Sequence, residues 1–321
     1  MPIVTHTDWD AFLAQHPNAH LLQTTEWGKH ANASGWKSVQ VVEGNIGVQI
    51  LFRPLSLGQT RAYIPKGPVG DNWHALIPVI DQICRQYNAI FLKIEPDSWR
   101  DDESIPQGFI LGKQATQPLR TIEIDISGEE DLILARMKQK TRYNIRLATR
   151  KGVIIREDTD INTFMDLMKI TSVRDEFTTY PDEYYASVYR HFQERGGKLL
   201  TAEVEHHPVA SLMVFARGSR AWYLYGASSN EHRNLMPTYL LQWEAIRWAR
   251  TQGCKTYDLW GVPDEDEATL EANFMSRSDG LWGVYRFKRG FGGEVKRGVG
   301  PWIRVYKPLW YRLYQQWAMR G

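Results

Sequence analysis

Only two cysteines occur in 321 residues, Cys84 and Cys254, and they lie far apart in apolar, helix-like stretches. That excludes a disulfide framework and a cysteine metal site, and fits core thiols in a reducing compartment. No run of 18 or more apolar residues exists, so no membrane-crossing helix is expected. The opening MPIVTHTDWD has no basic segment ahead of an apolar run, so no secretory signal is expected either, and a cytoplasmic location follows. An excess of charge is lacking too: 39 Lys and Arg face 37 Asp and Glu, a net charge of +2. A chain that coats nucleic acid through overall basicity is excluded, whereas a locally basic surface is not. Nine histidines fall at no metal-ligand spacing, and no Ser-His-Asp or Cys-His arrangement is apparent. No metal and no cofactor are expected.

What the chain does have is a repeat and many aromatics, including 13 Trp and 15 Tyr. Residues 61–97 read RAYIPKGPVG, an apolar helix over 73–87, then AIFLKIEPD. Residues 220–264 read RAWYLYGASS, a helix over 239–251, then KTYDLWGVPD. Both are strand, loop, helix, strand, ending in Pro-Asp, with about 160 residues between equivalent points. Leu76, Val79, Ile80, Ile83 and Tyr87 recur at helical steps, as do Leu240, Trp243 and Ile246. Hairpins are expected at 38–43 with 47–53 and at 198–204 with 209–216. A long helix is expected over 129–150, another over 182–194, and a helical tail after Pro308. The fold class that follows is α/β (α+β), two halves each with a mixed sheet flanked by helices.

Several segments could carry chemistry. Strand–loop–helix is where acetyltransferases of the GNAT fold hold coenzyme A, through an Arg/Gln-x-x-Gly-x-Gly/Ala loop at a helix N-terminus. Here that stretch is Arg233-Asn-Leu-Met-Pro-Thr238, without either small residue and with a proline that lacks an N–H. Lys138, Arg142, Arg146 and Arg150 are spaced by four, with no acid between Arg136 and Lys151. They form a slowly turning stripe that reads as a phosphate-backbone track, or as a solvated face paired with acids elsewhere. A second basic cluster, Arg286, Lys288, Arg289, Lys296 and Arg297, surrounds Phe291-Gly292-Gly293. It reads as an oxyanion or phosphate site, or as a decorated surface hairpin. Asp97 and Asp264 end equivalent strands, where ligands often bind and where turns often start. Trp302, Tyr306, Trp310, Tyr314 and Trp317, with Arg304, Lys307 and Arg312, suggest a membrane-interface face or a helix docked on the first half.

Five stretches together resemble the FemABX family of non-ribosomal peptidyltransferases: Gln23-Thr-Thr-Glu-Trp-Gly28, Lys138 to Ala148, Tyr223-Leu-Tyr-Gly-Ala227, Tyr257-Asp-Leu-Trp-Gly261 and Tyr285 to Glu294. The resemblance spans nearly the whole chain. It implies tandem GNAT-like domains without coenzyme A, of the short type that lacks a coiled-coil arm. It places the first domain at 1–145, with a C-terminal helix over 303–321 packing back on it, and the second at 146–302. It implies aminoacyl transfer from aminoacyl-tRNA to an amine of a peptidoglycan stem peptide. The acceptor would be UDP-MurNAc-pentapeptide or a lipid-linked precursor, met by a monomer with peripheral contact at the inner membrane face. Lys288 and Asp97 are the implied catalytic residues. Lys29, Lys37, Tyr185 (or Tyr184), Tyr225 and Phe287 are implied in substrate binding. Lys138, Arg142, Arg146, Arg150 and Arg289 are the candidates for tRNA. The rival readings are an acyl-CoA-dependent N-acyltransferase and a non-catalytic tRNA- or glycan-binding protein.

Overall fold

The computed structural model describes residues 2–99 and 104–318. The chain forms two compact units, Met1–Leu119 with Gly298–Gly321, and Arg120–Arg297. The first contains α1 (His6–Ala14), α2 (Thr25–Ala33), β1 (Lys37–Glu43), β2 (Ile46–Pro54), β3 (Thr60–Pro65), α3 (Ile77–Gln86), β4 (Ala89–Glu95) and β5 (Ile110–Leu111). The second opens with β6 (Arg120–Asp125), α4 (Glu130–Arg136), α5 (Gln139–Arg150), β7 (Ile154–Glu157), α6 (Ile161–Asp175) and α7 (Asp182–Phe192). It continues with β8 (Gly197–Val204), β9 (His207–Arg217), β10 (Arg220–Ser228), α8 (Pro237–Thr251), β11 (Thr256–Val262), α9 (Glu267–Asn273), α10 (Trp282–Lys288) and β12 (Glu294–Arg297). The chain then returns to the first unit as β13 (Trp302–Val305) and α11 (Pro308–Ala318). Residues 319–321 of the expected returning segment lie outside the described residues.

The repeat is real. One sheet runs β1-β2-β3-β4-β13-β5, the other β12-β6-β11-β10-β9-β8-β7. Matched in order, β1 to β4 answer to β8 to β11, with β3/β4 and β10/β11 as the parallel pairs. Beside the second parallel strand sits β13 in one sheet and β6 in the other, each from a distant part of the chain. Both hairpins form as expected. In the β8–β9 turn Glu205 and His206 both have positive φ, the combination that matches strand twist in a two-residue loop.

Three expectations are corrected. The boundary between the units lies at 119/120, not 145/146, because β6, α4 and α5 all join the second unit. The long helix over 129–150 is two helices, broken where Met137 and Lys138 take extended ψ values of 151° and 145°. Met137 is buried in the core, and the Lys138 N–H donates to the Gly290 carbonyl at 2.9 Å, which turns the chain. The segment around Lys288 is no surface hairpin: α10 buries Trp282, Tyr285 and Lys288 at steps of three.

The Gln23-to-Gly28 stretch serves the fold of the first unit. Gln23 Nε2 donates to the Pro65 carbonyl at 2.7 Å, and its Oε1 accepts from the Gln49 N–H at 2.8 Å. Gln49 Nε2 donates to the Thr24 carbonyl at 3.0 Å, while Gln40 Nε2 donates to Gln49 Oε1 at 2.8 Å. All three glutamines are buried. A Cβ on Gly28 would stand 2.3 Å from Gln49 Oε1, so only glycine lets α2 approach this network. Gln23→Ala, which strands buried partners, should cost about 2–4 kcal/mol in urea denaturation. Exposed Lys29→Ala should stay within about 0.5 kcal/mol of the parent. Equal losses in the two variants would contradict a structural role for the stretch.

Candidate active site

In the second unit the parallel strands part company. β10 pairs with β11 only from Arg220↔Thr256 to Trp222↔Asp258. Beyond that point β10 continues against β9 as far as Ser228, and β11 against β6 as far as Val262. The β3/β4 pair of the first unit, by contrast, holds to Pro65↔Glu95. Carboxyl ends of parallel strands are where open α/β sheets receive ligands.

Lys288 lies at that parting. Its Nζ donates to the Gly261 carbonyl of β11 at 2.8 Å and stands 5.7 Å from the ring centre of Tyr223 on β10. The residue is 5% exposed. Burial pushes its pKa down to about 7, against the pull of the Asp258 carboxylate. The Gly261 carbonyl is reached because β11 bulges between Asp258 and Gly261, with Trp260 at φ +62°. Asp258, itself buried, holds the bulge: its Oδ1 accepts from the Trp260 N–H at 2.7 Å and from the Thr121 hydroxyl. Tyr223 folds back over Gly226, where a Cβ would meet its hydroxyl at 1.9 Å. Burial pushes that phenol up to about 12, so it stays protonated at neutral pH. Phe287 packs edge-on against Tyr239 at 5.0 Å and Phe291 at 5.1 Å, forming the apolar wall next to Lys288 in sequence.

The arrangement brings together one amine that titrates near neutrality, a neutral phenol ring and a buried carboxylate. Such a lysine can exchange a proton at working pH, which an ordinary surface lysine does poorly.

The other candidate residues are placed as follows. Tyr225 belongs to a second aromatic group of the same unit. Its hydroxyl lies 3.1 Å from that of Tyr184, and its ring packs edge-on on Tyr185 at 5.6 Å. Tyr185 is core, so of the two tyrosines it is Tyr184 that meets Tyr225 through its polar edge. Arg142 is tied back to the end of α4, its Nη1 donating to the Met137 carbonyl at 2.5 Å. Arg289 forms a two-pronged pair with Glu271 and lies over the Phe274 ring at 3.7 Å. Lys138, Arg146 and Arg150 are exposed. In the first unit Lys29 and Lys37 are exposed, Lys37 4.7 Å from the Tyr87 ring centre. Asp97 sits in a bend two residues beyond β4. The buried carboxylate there is Glu95, which sequence reading missed. It accepts from the Tyr63 hydroxyl at 2.6 Å and from the N–H groups of Thr116 at 2.5 Å and Gln117 at 2.9 Å. Asp258 and Tyr223 were also missed as site residues, though both lie inside motifs that stand out in the sequence. A lone acid inside the apolar run Tyr257-Asp-Leu-Trp260 of β11 was the available signal for Asp258.

The FemAB family profile matches residues 4–105, 106–207 and 196–318. A lipid II:glycine glycyltransferase of Staphylococcus aureus strain USA300 is 28% identical over 407 aligned positions, covering 98% of this chain and 94% of that protein. The alignment is longer than this chain, so that relative carries insertions absent here. Among the described residues the longest helices have 15 residues, in keeping with a chain that has no extended arm. Among solved structures, FemX superposes with a TM-score of 0.84 at 24% identity, over 97% of this chain and 98% of that one. A tandem GNAT protein from the clavulanic acid pathway gives 0.51 at 11% identity, over 94% and 97%. The tandem GNAT-like architecture is thereby shown.

The lowered Lys288 pKa has a stability signature. The folded value, about 7, lies below the ordinary 10.5 of the unfolded chain. Below about pH 7 both states carry the proton and the cost of burying the charge is full. Between about 7 and 10.5 the unfolded chain binds more protons, so stability rises with pH. Denaturant melts of the parent and Lys288→Met should show a stability difference that shifts toward the parent by a few kcal/mol across that window. A difference independent of pH would mean that Lys288 titrates normally.

Proposed function

The chain belongs to the FemAB family, and from that premise we propose that it is an aminoacyltransferase of peptidoglycan bridge formation. It moves an amino acid from aminoacyl-tRNA onto an amine of a lipid-linked stem peptide. The observation that carries this reading is the near-neutral lysine where β10 and β11 part, in a chain related along its whole length to a glycyltransferase named for lipid II.

The chemistry asks little of a protein base. The ester of the donor is already activated, and holding donor and acceptor together supplies much of the barrier reduction. The acceptor nitrogen attacks the ester carbonyl carbon, and the nitrogen must then shed a proton. Neutral Lys288 takes it. The resulting ammonium stabilises the oxyanion, then protonates the departing 3′ oxygen as the tetrahedral intermediate collapses to the amide. Lysine ends neutral, and no further reactant is needed. A pKa near 7 suits both halves of that cycle. The exposed cations of α5, Arg146 and Arg150 with Lys138 at its cap, track the donor's phosphates.

Labelled aminoacyl-tRNA should pass its amino acid to a lipid-linked precursor more readily than to a UDP-linked one, while an acyl-CoA donor should give no product. Transfer from acyl-CoA alone would overturn the reading in favour of an N-acyltransferase. Lys288→Met should keep its fold and lose transfer by roughly 10²–10³-fold. The parent's rate should climb through about pH 7 as the amine deprotonates. Arg146→Gln with Arg150→Gln should lower the log–log salt slope of tRNA binding by about one unit for each phosphate no longer neutralised. An unchanged slope would return α5 to the role of a solvated face.

A further inference from the structure

Helix α11 has two apolar faces, and the fold uses one of them. Tyr311 and Tyr314 turn inward, each 5.1 Å from the Phe91 ring, and Arg61 donates to the Tyr314 hydroxyl at 2.6 Å. That docks the helix on the first unit's sheet. Trp302 and Tyr306, grouped with the tail aromatics in the sequence, are also spoken for. Trp302 is core, and the Tyr306 hydroxyl donates to Asp81 at 2.8 Å. Of that group Trp310 and Trp317 stay outside, joined by two leucines. Leu309, Leu313 and Trp317 recur at steps of four and are 74%, 57% and 72% exposed, with Trp310 beside them. At about 100° per residue they fill one arc of roughly 100° next to the docked face. Arg312 and Gln316 are exposed on the arc beyond.

A second element adds to the patch. Leu57, at the tip of the β2–β3 turn, is 78% exposed and held at φ +58°. Neither burial nor backbone preference accounts for a leucine there. The turn is fixed next to the start of α11. Asn88 Nδ2 donates to the Gly58 carbonyl at 2.7 Å, Lys307 Nζ donates to Gln59 Oε1 at 2.8 Å and to Asn88, and Leu55 packs on the same Ile90–Phe91–Ile303 cluster as Tyr311 and Tyr314. Two cations flank the patch, Lys307 with the neutral partners Gln59 and Asn88 and the exposed Arg312, whereas Arg304 is paired with Asp81; the sequence from Gly298 to Gly321 has no Asp or Glu.

We propose that this face, Leu57 with Leu309, Trp310, Leu313 and Trp317, seats the protein on an anionic lipid surface. The helix is 11 residues long, too short to cross a bilayer, and no described helix is long and apolar enough to do so. Its geometry is that of an element lying in the interface: leucines and tryptophans toward the acyl boundary, arginine at headgroup level, the opposite face anchored in protein. Charge complementarity favours anionic lipid, because Lys307 and Arg312 beside the patch attract acidic headgroups and repel a second copy of the same face. The inference deepens the proposed function, since a lipid-linked acceptor presents its stem peptide at such a surface.

The test is co-sedimentation of the full chain with phosphatidylcholine vesicles, with and without about one third phosphatidylglycerol. The parent should pellet with the anionic vesicles, and Leu309→Gln/Leu313→Gln/Trp317→Gln should bind them at least about tenfold more weakly. The triple variant should keep the parent's melting temperature, since the docked face is untouched. It should transfer normally to a water-soluble acceptor fragment and poorly to acceptor embedded in vesicles. Equal vesicle binding by parent and variant overturns the proposal. So does sedimentation velocity that shows a parent dimer abolished by the substitutions, which would assign the face to a second copy. Vesicle binding without transfer to any acceptor would leave this surface standing and sink the proposed function alone.

Discussion

A buried amine needs a partner, and in this protein a bulge supplies it. Regular pairing would commit every carbonyl of β11 to its neighbours. The left-handed Trp260, stabilised by Asp258 accepting its N–H, shifts the register against β6 and leaves the Gly261 carbonyl to receive Lys288. The same irregularity coincides with the end of pairing to β10. One carboxylate thus fixes the backbone that receives the lysine and also supplies the negative charge that keeps its pKa from falling further. Remove that carboxylate and the strained residue, the register shift and the amine's environment all lose their common support.

The two sheets show what duplication kept and what it let go. Both have a β-α-β unit with parallel strands, and both carry a buried carboxylate on the second strand of the pair, Glu95 on β4 and Asp258 on β11. In the first unit that carboxylate is satisfied by a tyrosine and two backbone N–H groups, and the strands stay zipped to their ends. In the second unit the strands part and a lysine stands in the gap. The two acids sit at different points of their strands, and one architecture therefore carries an acid that closes a loop in one copy and an acid that shapes the backbone around Lys288 in the other.

Much of the fold was readable because period and punctuation agreed. The hairpins, α3, α8 and the repeat came from alternation, helical steps and turn residues. The FemABX resemblance came from ordered motifs. Three things were not readable, for physical reasons. Tyr285-Arg-Phe-Lys alternates like a strand, and only the burial of Trp282, Tyr285 and Lys288 by tertiary packing shows a helix. The break at Met137-Lys138 has no glycine or proline to mark it, since it depends on a hydrogen bond to residue 290. The boundary between the units was misplaced because β6 and β13 join sheets far from their sequence neighbours, and no local pattern reports a partner that distant. Within the site, Lys288 was found through its motif, while its depressed basicity was a property of depth that sequence does not carry.

The return of β13 to the first sheet also sets the order in which this protein can be completed during synthesis. β4 finds its second neighbour only in residues 302–305, after every residue of the second unit has left the ribosome. Until then the nascent first sheet presents an open edge along β4, with Phe91 and Ile90 still awaiting Ile303 and the tyrosines of α11. The second unit, an uninterrupted insertion that holds its own β6, faces no such wait. Translation therefore delivers the lysine-bearing unit whole, while the unit that precedes it stays unfinished, and exposed to pairing with other nascent chains, until the last strand arrives.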